Sequence, residues 1–376
     1  MTRDVVCAHS YHAETPAALA ELTPELRDIE ATAILFFCSA QHDGIAINAA
    51  MKELAPSAEV IGCTTGGEFT DKAYSQGGVT VVALSGNKVR RCAAALAEYD
   101  QGIAVDEAVR TAAASLAARL SIDLRAINPD TWIGVVLNEG LKGNEEEVNS
   151  ILGQVAPLLS FLGGSAGDNF ELKETAVFYD GRVSKNGSVF LLMELAVPHV
   201  ILKTSSFEPT ETRLRIGRVQ GRIIQEINGQ PAAAAYAAIV GAKPEDLGAM
   251  VFAGNPLGVV IEGEPWVRSP IMALPDGTLL FGCKVLEGSE LHLLRSTNRL
   301  VEDTRRALDE AAKRLGREPS VGILFNCAHR CMEIKVKDLE APFREVISGF
   351  PVAGFHSYGE SWLAHMNHTL IGLLLG

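Results

Sequence analysis

The sequence predicts an α/β protein of mixed, largely buried sheets with covering helices, built from repeated units and carrying strand-rich insertions. Three observations predict this. Short runs rich in Val, Ile, Leu and Phe lack polar alternation, as strands buried on both faces do. Helical patterns alternate with those runs. One arrangement of residues occurs three times along the chain.

In the first copy, Ile34-Leu35-Phe36-Phe37-Cys38-Ser39 leads through a helical stretch to Val60-Ile61-Gly62-Cys63-Thr64-Thr65-Gly66-Gly67-Glu68. In the second, Gly134-Val135-Val136-Leu137-Asn138-Glu139 leads to Phe161-Leu162-Gly163-Gly164-Ser165-Ala166-Gly167-Asp168-Asn169. In the third, Gly322-Ile323-Leu324-Phe325-Asn326-Cys327 leads to Val352-Ala353-Gly354-Phe355-His356-Ser357-Tyr358-Gly359-Glu360. Cys38 precedes Gly62 by 24 positions, Asn138 precedes Gly163 by 25, and Cys327 precedes Gly354 by 27. An apolar strand closes each copy, at 79–84, 189–195 and 369–375, and a helical pattern opens each, at about 15–29, 106–120 and 298–315. The unit is therefore helix, strand, helix, strand, glycine-rich loop, strand.

Helix ends are legible in part. Asn144 before Glu145-Glu146-Glu147 places a capping residue and then carboxylates at a positive helix end. Thr297 or Asn298 can cap the helix that follows, and Gly316 can end it. Between the second and third copies, from about Lys203 to Arg295, turn signals surround short strands at 222–227, 258–262 and 278–283. A boundary near Asn228-Gly229, before an Ala-rich helix at 231–240, divides the chain into domains of residues 30–228 and 229–376.

Composition narrows the function classes. Among 376 residues, Lys plus Arg number 33 and Asp plus Glu 46, a formal charge of −13, which disfavours binding to phosphate backbones. No nucleic-acid partner is expected. No basic run suggests a membrane surface, and no apolar window reaches the length of a span. The start, Met1-Thr2-Arg3-Asp4-Val5-Val6, does not read as a leader. The seven cysteines fit reduced thiols, so a cytoplasmic location is expected.

The repeated loops are the candidate site. Loops leaving the carboxyl ends of strands are where open α/β sheets gather ligands. Glu68, Asp168 and Glu360 stand at or near the loop ends, and glycines allow backbone N–H groups to approach closely. A bland alternative is that the glycines make tight turns and the acids cap local N–H groups. The loops lack P-loop and dinucleotide spacing. Around them, Asn138, Asn169 and Asn326 offer amide hydrogen bonds, Arg330 offers a bidentate clamp for a carboxylate, and His356 and Tyr358 offer walls. Cys327, His329 and Cys331 alternate as on one face of an extended segment. With His356 they are candidate ligands for zinc or iron, or the two thiols are a redox pair; His329, His356, His365 or His368 is a candidate axial ligand for haem with Met332 or Met366 as a partner, and cofactor identity stays open. A Cys-dependent hydrolase or transferase would use Cys327 or Cys38 with His329, His42 or His356 as base. The expected reading is a non-enzymatic binding module.

Taken in order, these motifs resemble the FIST proteins, an N-terminal FIST domain followed by a FIST C domain. The resemblance runs from about Ala31 to Leu375 and includes Asn367-His368-Thr369-Leu370. It implies a sensory, ligand-binding role in signal transduction, with amino acids or related molecules as ligands and no catalytic activity. It also implies likeness to haem-binding bacterial sensors of nitric oxide that act on partner histidine kinases. The segment Ser361-Trp362-Leu363-Ala364-His365 is more apolar than that pattern. With no kinase, cyclase or helix-turn-helix segment apparent, a separate signalling partner is expected, and a homo-oligomer is compatible.

Overall fold

The structure, a computed structural model, describes residues 3–99 and 102–376; Met1 and Thr2, part of the stretch read for a leader, lie outside them. Each of the three units adds one strand that the periodicity did not reveal, at its start. The first unit runs Val5–Ser10, helix α1 (Thr15–Leu26), Ala31–Ser39, helix α2 (Gly44–Leu54), Glu59–Thr65, the turn, and Val79–Ser85. The second runs Val89–Glu98, α3 (Val105–Leu120), Trp132–Asn138, α4 (Glu145–Val155), Phe161–Ser165, the turn, and Gly187–Leu195.

The third unit opens at His199–Ser205 and is then interrupted. Residues 207–296 form two four-stranded antiparallel sheets with helices α5 (Ala232–Val240) and α6 (Ala249–Gly254). This insertion has its own core around Leu214, Ile224, Tyr236, Phe252, Phe281 and Leu291. The unit resumes with α7 (Leu300–Leu315), Val321–Cys327, α8 (Ala328–Val336), α9 (Glu340–Ile347), Val352–Ser357, the turn, and Thr369–Leu375. His199 pairs with Leu375 and Ser205 with Thr369, so a strand before the expected boundary at residue 228 belongs to the last sheet.

All three main sheets have one order. The first strand lies antiparallel to the last, the last antiparallel to the second, and the second parallel to the third. A sixth and fifth place are filled from another unit. The hairpin Val177–Tyr179 with Arg182–Ser184, from the second unit, joins the first sheet opposite Cys63. The hairpin Glu360–Trp362 with Ala364–Met366, from the third, joins the second sheet opposite Gly164. The pair Glu68–Thr70 and Tyr74–Ser75, from the first, joins the third sheet opposite Phe355. The exchange is cyclic, and it ties the units into a pseudo-threefold body.

Period-two geometry explains the continuous apolar runs. Leu35 and Phe37 point to a central core shared by all three sheets, with Leu137, Leu191, Phe325 and Phe355. Ile34 and Phe36 point the other way, to the layer under α1 and α2. Both faces are dry, so polar alternation never appears.

Some local expectations change. Asn144 does not cap α4; its amide donates to Asn186 Oδ1 at 3.4 Å. Gly316 does end α7, with φ +72°. Among the described residues no helix is long and apolar enough to cross a membrane.

Candidate functional site

The three glycine-rich turns meet where the units join, and they bond to one another. Gly66 N–H donates to His356 O at 2.9 Å and His356 N–H to Gly67 O at 2.8 Å. Gly167 N–H donates to Thr64 O and Asn169 N–H to Thr65 O, each at 3.0 Å. Ser165 N–H donates to Gly359 O at 2.8 Å and Tyr358 N–H to Ser165 O at 3.0 Å. Backbone groups that a ligand was expected to meet are thus used between the turns.

The acids are used in the same way. Glu68 is fully buried and accepts from Thr65 Oγ1, from Ser75 Oγ at 3.1 Å and from Gly78 N–H at 3.0 Å. Glu360 is fully buried and accepts from Ser357 Oγ at 2.7 Å and Thr369 Oγ1 at 2.6 Å. Burial pushes Glu68 up to about 7 and Glu360 up to about 8, against the pull of those hydrogen bonds. Register makes the second turn different. Thr64, Ser165 and His356 are equivalent, facing Cys38, Asn138 and Asn326, so Asn169 rather than Asp168 stands where Glu68 and Glu360 stand. Asp168 instead accepts from the N–H groups of Leu172, Lys173 and Glu174 and from Tyr358 OH. Burial raises its carboxyl, but these donors outweigh it and hold the group below its ordinary value.

The remaining expected residues separate. Asn138 bonds Ser188 Oγ at 2.6 Å. Arg330 is 1% exposed, and its guanidinium donates to Asn326 Oδ1 (2.9 Å), Ser206 Oγ (3.3 Å) and Thr304 Oγ1 (2.6 Å). It braces the interior where the sequence suggested an open clamp. His356 Nδ1 lies 2.9 Å from Asn326 Nδ2, with its ring against Phe69 and Tyr74. Cys327 ends a strand, but His329 and Cys331 lie on α8, where residues two apart point to different sides. Cys331 faces Tyr74 while His329 stacks on His368 at 4.3 Å. The extended-segment reading is corrected, and Cys327, His329, Cys331 and His356 do not form a convergent metal-ligating group among the described residues.

One open cavity does touch two of the turns. It holds about 420 Å³ and lies between the start of α2 and the segment after the second turn. Thr64 of the first turn and Asp168 and Asn169 of the second reach it, beside Gln41, His42 and Asp43. Asp43 caps α2 by accepting from Ile45 and Ala46 N–H, each at 3.0 Å. Gly44 permits the close approach of α2, because a Cβ there would fall 2.3 Å from the Phe178 ring. Two ion pairs stand at the rim, Lys173 with Glu171 at 2.8 Å and Lys185 with Glu174 at 2.7 Å. Asn169 Nδ2 donates to Ser39 Oγ at 2.7 Å, while its buried Oδ1 has no protein partner. Sequence reasoning singled out Asp168 and Asn169 but missed Gln41, Lys173 and Lys185. Position was a signal for Gln41 and Lys173, which lie just beyond a strand and a turn that the repeat had already marked; Lys185 follows the short strand Arg182–Ser184, which the periodicity did not mark.

Residues 32–230 match the FIST N domain and residues 232–362 the FIST C domain. The chain belongs to the FIST family. An uncharacterized protein of Methanocaldococcus jannaschii, MJ1623, is 25% identical over 285 residues, which is 70% of this chain and 53% of that relative. The chain thus spans about half the length of the curated relative it matches. FIST domains are associated with sensing in signal transduction, and the division between the two matches falls close to residue 228.

A cleft bordered by two of the C-terminal histidines of the FIST fold is the place to test haem. His329 and His368 border it with Phe207, Met250 and Met332, between α8 and α6. Its volume is about 110 Å³. That is well under the ~300–1,000 Å³ of pockets that enclose drug-sized ligands. The two imidazoles stack at 16°, so they cannot flank a macrocycle from opposite faces. The cleft as it stands does not fit haem.

Proposed function

We propose that this FIST protein senses a small zwitterion of amino-acid type, bound in the cavity between the first and second turns, and reports it to a separate protein. The observation that carries this reading is the cavity of about 420 Å³ walled by Thr64, Asp168 and Asn169 from two turns. Its size falls within the ~300–1,000 Å³ range of small-molecule sites. Asp43, Asp168, Glu171 and Glu174 face Lys173 and Lys185, so acids exceed bases by two and an ammonium is favoured. Asn169 lines the wall beside these charges, with its amide held by Ser39 Oγ at 2.7 Å.

The rim ion pairs provide a route for entry. A ligand ammonium replaces a lysine beside Glu171 or Glu174, and the released lysine meets the ligand carboxylate. Exposed pairs are worth ~0–1 kcal/mol, so the exchange is cheap. The signal travels from the Asn169 carbonyl to Gln76 (3.2 Å), whose Oε1 accepts from Lys335 of α8 at 2.6 Å. A shift of that turn therefore reaches the helix beside the insertion, and the reading places the partner surface there. The partner is a histidine kinase or another signalling protein inside the cell, and no bond is made or broken in the ligand.

Calorimetry and thermal unfolding against amino acids, polyamines and their uncharged analogues test the reading. One zwitterionic class is expected to raise the midpoint and to lose at least tenfold in affinity in N169L and E174Q. Binding by none of the amine-bearing compounds, or binding indifferent to both changes, overturns it.

A further inference from the structure

The position equivalent to that cavity in the second unit is built differently. There the start of α4 meets the hairpin imported from the third unit, and the insertion covers both. Glu146, Cys283 and His365 come together, one from each of these parts, with a carboxylate oxygen, the Sγ and a ring nitrogen all within 4.8 Å of one another. Cys283 and His365 are buried, while Glu146 retains a path to solvent.

The state of His365 points to a ligand. Its Nε2 lies 3.2 Å from Gly282 O, so Nε2 carries the proton and donates to that carbonyl. Nδ1 is then a bare lone pair, buried and without a partner. A ring fixed by an N–H to backbone carbonyl bond, with the other nitrogen free, is how metal-ligating histidines are held. The ring is also locked in place, because a Cβ on Gly359 would fall 2.1 Å from it. Asn367 supplies a second observation. Cys283 Sγ–H donates to its Oδ1 at 3.0 Å, and its Nδ2 is buried and unpartnered. Rotation of that amide offers an N–H to a thiolate at the same place.

We propose that Glu146, Cys283 and His365 bind a thiophilic divalent ion of the zinc class, with a fourth position left for water. Binding breaks the Cys283 S–H bond, forms an S–metal bond and releases the proton to solvent. With the ion bound, its two charges and the guanidiniums of Arg222 and Arg268, the latter donating to His365 O at 2.8 Å, stand against Glu145, Glu146 and the thiolate, four positive charges to three negative. Arg222 already pairs with Glu145 at 2.6 Å and Glu146 at 2.7 Å, and each carboxylate oxygen keeps a further lone pair for the ion. The site joins the FIST N helix α4 to the insertion and to the final hairpin, so the ion clamps the two domains. It shares no residue with the zwitterion cavity and stands or falls separately.

The test titrates the metal-stripped full chain with Co(II) and Zn(II). One Co(II) per chain is expected, with a thiolate-to-cobalt charge-transfer band that Zn(II) abolishes. C283S and H365Q should each weaken binding by at least tenfold, while C331S should not. In the unmodified chain, saturating Zn(II) should slow alkylation of Cys283, located by peptide mapping, at least tenfold and leave Cys7 and Cys92 unchanged. This arm decides the matter if C283S does not fold. No charge-transfer band, or Cys283 alkylation indifferent to Zn(II), overturns the site.

Discussion

His356 and Gly67 are bonded across units: the His356 N–H donates to the Gly67 carbonyl at 2.8 Å, and Gly66 N–H returns a bond to the His356 carbonyl at 2.9 Å. Gly67 makes this possible with φ +142°, and a Cβ there would lie 2.9 Å from Ser75 O and 3.0 Å from His356 Cδ2. G67A is therefore expected to lower stability by about 2–3 kcal/mol. Urea unfolding with an unchanged m-value checks this; a loss under 0.5 kcal/mol would mean the ring of turns tolerates the strain.

Arg330 is expected to act on folding and leave ligand binding alone. Its removal strands Asn326 Oδ1 and Ser206 Oγ in the interior, takes a donor from Thr304 Oγ1 (which still donates to Leu300 O at 2.6 Å) and opens a void. R330A should cost about 3 kcal/mol or more. At a temperature where the variant is folded, its affinity for the zwitterion should match the parent. Selective loss of affinity with stability retained would return Arg330 to the binding site.

These two residues mark how far the sequence could be read. The repeat exposed the unit order, because buried strands and glycine turns recur at nearly equal spacing. The cyclic exchange of hairpins was not legible: pairing partners such as Cys63 and Val177 are distant in sequence, and nothing local specifies which sheet a short strand joins. Arg330 and Glu360 read as ligand groups because residue type does not reveal burial. Asp168 and Asn169 do line the open cavity, yet Lys173 and Lys185 follow the motif and look like ordinary loop lysines. The cluster of Glu146, Cys283 and His365 brings together three segments that carry no common spacing.

Thiol reactivity tests the hydrolase alternative. Cys38 and Cys327 are fully buried, and burial pushes both thiols far above their ordinary value. Nucleophilic cysteines need the opposite shift. Alkylation of the native protein at pH 8 should label Cys38 and Cys327 at least a hundredfold more slowly than in urea. Fast native labelling of either, together with turnover lost in its alanine variant, would restore a catalytic reading.

The pH dependence of stability follows from Glu68 and Glu360 opposed by the buried histidines. Burial raises the carboxyls from an ordinary value of 4.5 to about 7 and about 8. The native state then holds these protons more tightly than the unfolded chain. Their contribution is complete below pH 4.5 and is lost as pH rises through 7 and 8. Burial lowers His356 to about 3 and His368 well below 6.5, so their contribution is complete above pH 6.5 and is lost as pH falls. Between pH 4.5 and 6.5 the two sets oppose each other. His9, His329 and His365 are lowered by burial as well, and an unfolded histidine is still half protonated at pH 6.5, so the opposing slope fades only at pH ~7.5. Above that the raised carboxyls dominate, at no more than ~1.4 kcal/mol per pH unit for each group. Stability should therefore decline from about pH 7.5 to 8. In E360Q the amide reproduces the shape of the protonated acid; the Ser357 hydroxyl, which donates to the carboxylate at 2.7 Å, turns to accept from the amide N–H. Its decline should be shallower, and its unfolding midpoint at pH 8 should meet or exceed that of the parent. A parent whose stability is flat across this range, or an E360Q profile parallel to it, would show that Glu360 is already ionised in the native interior.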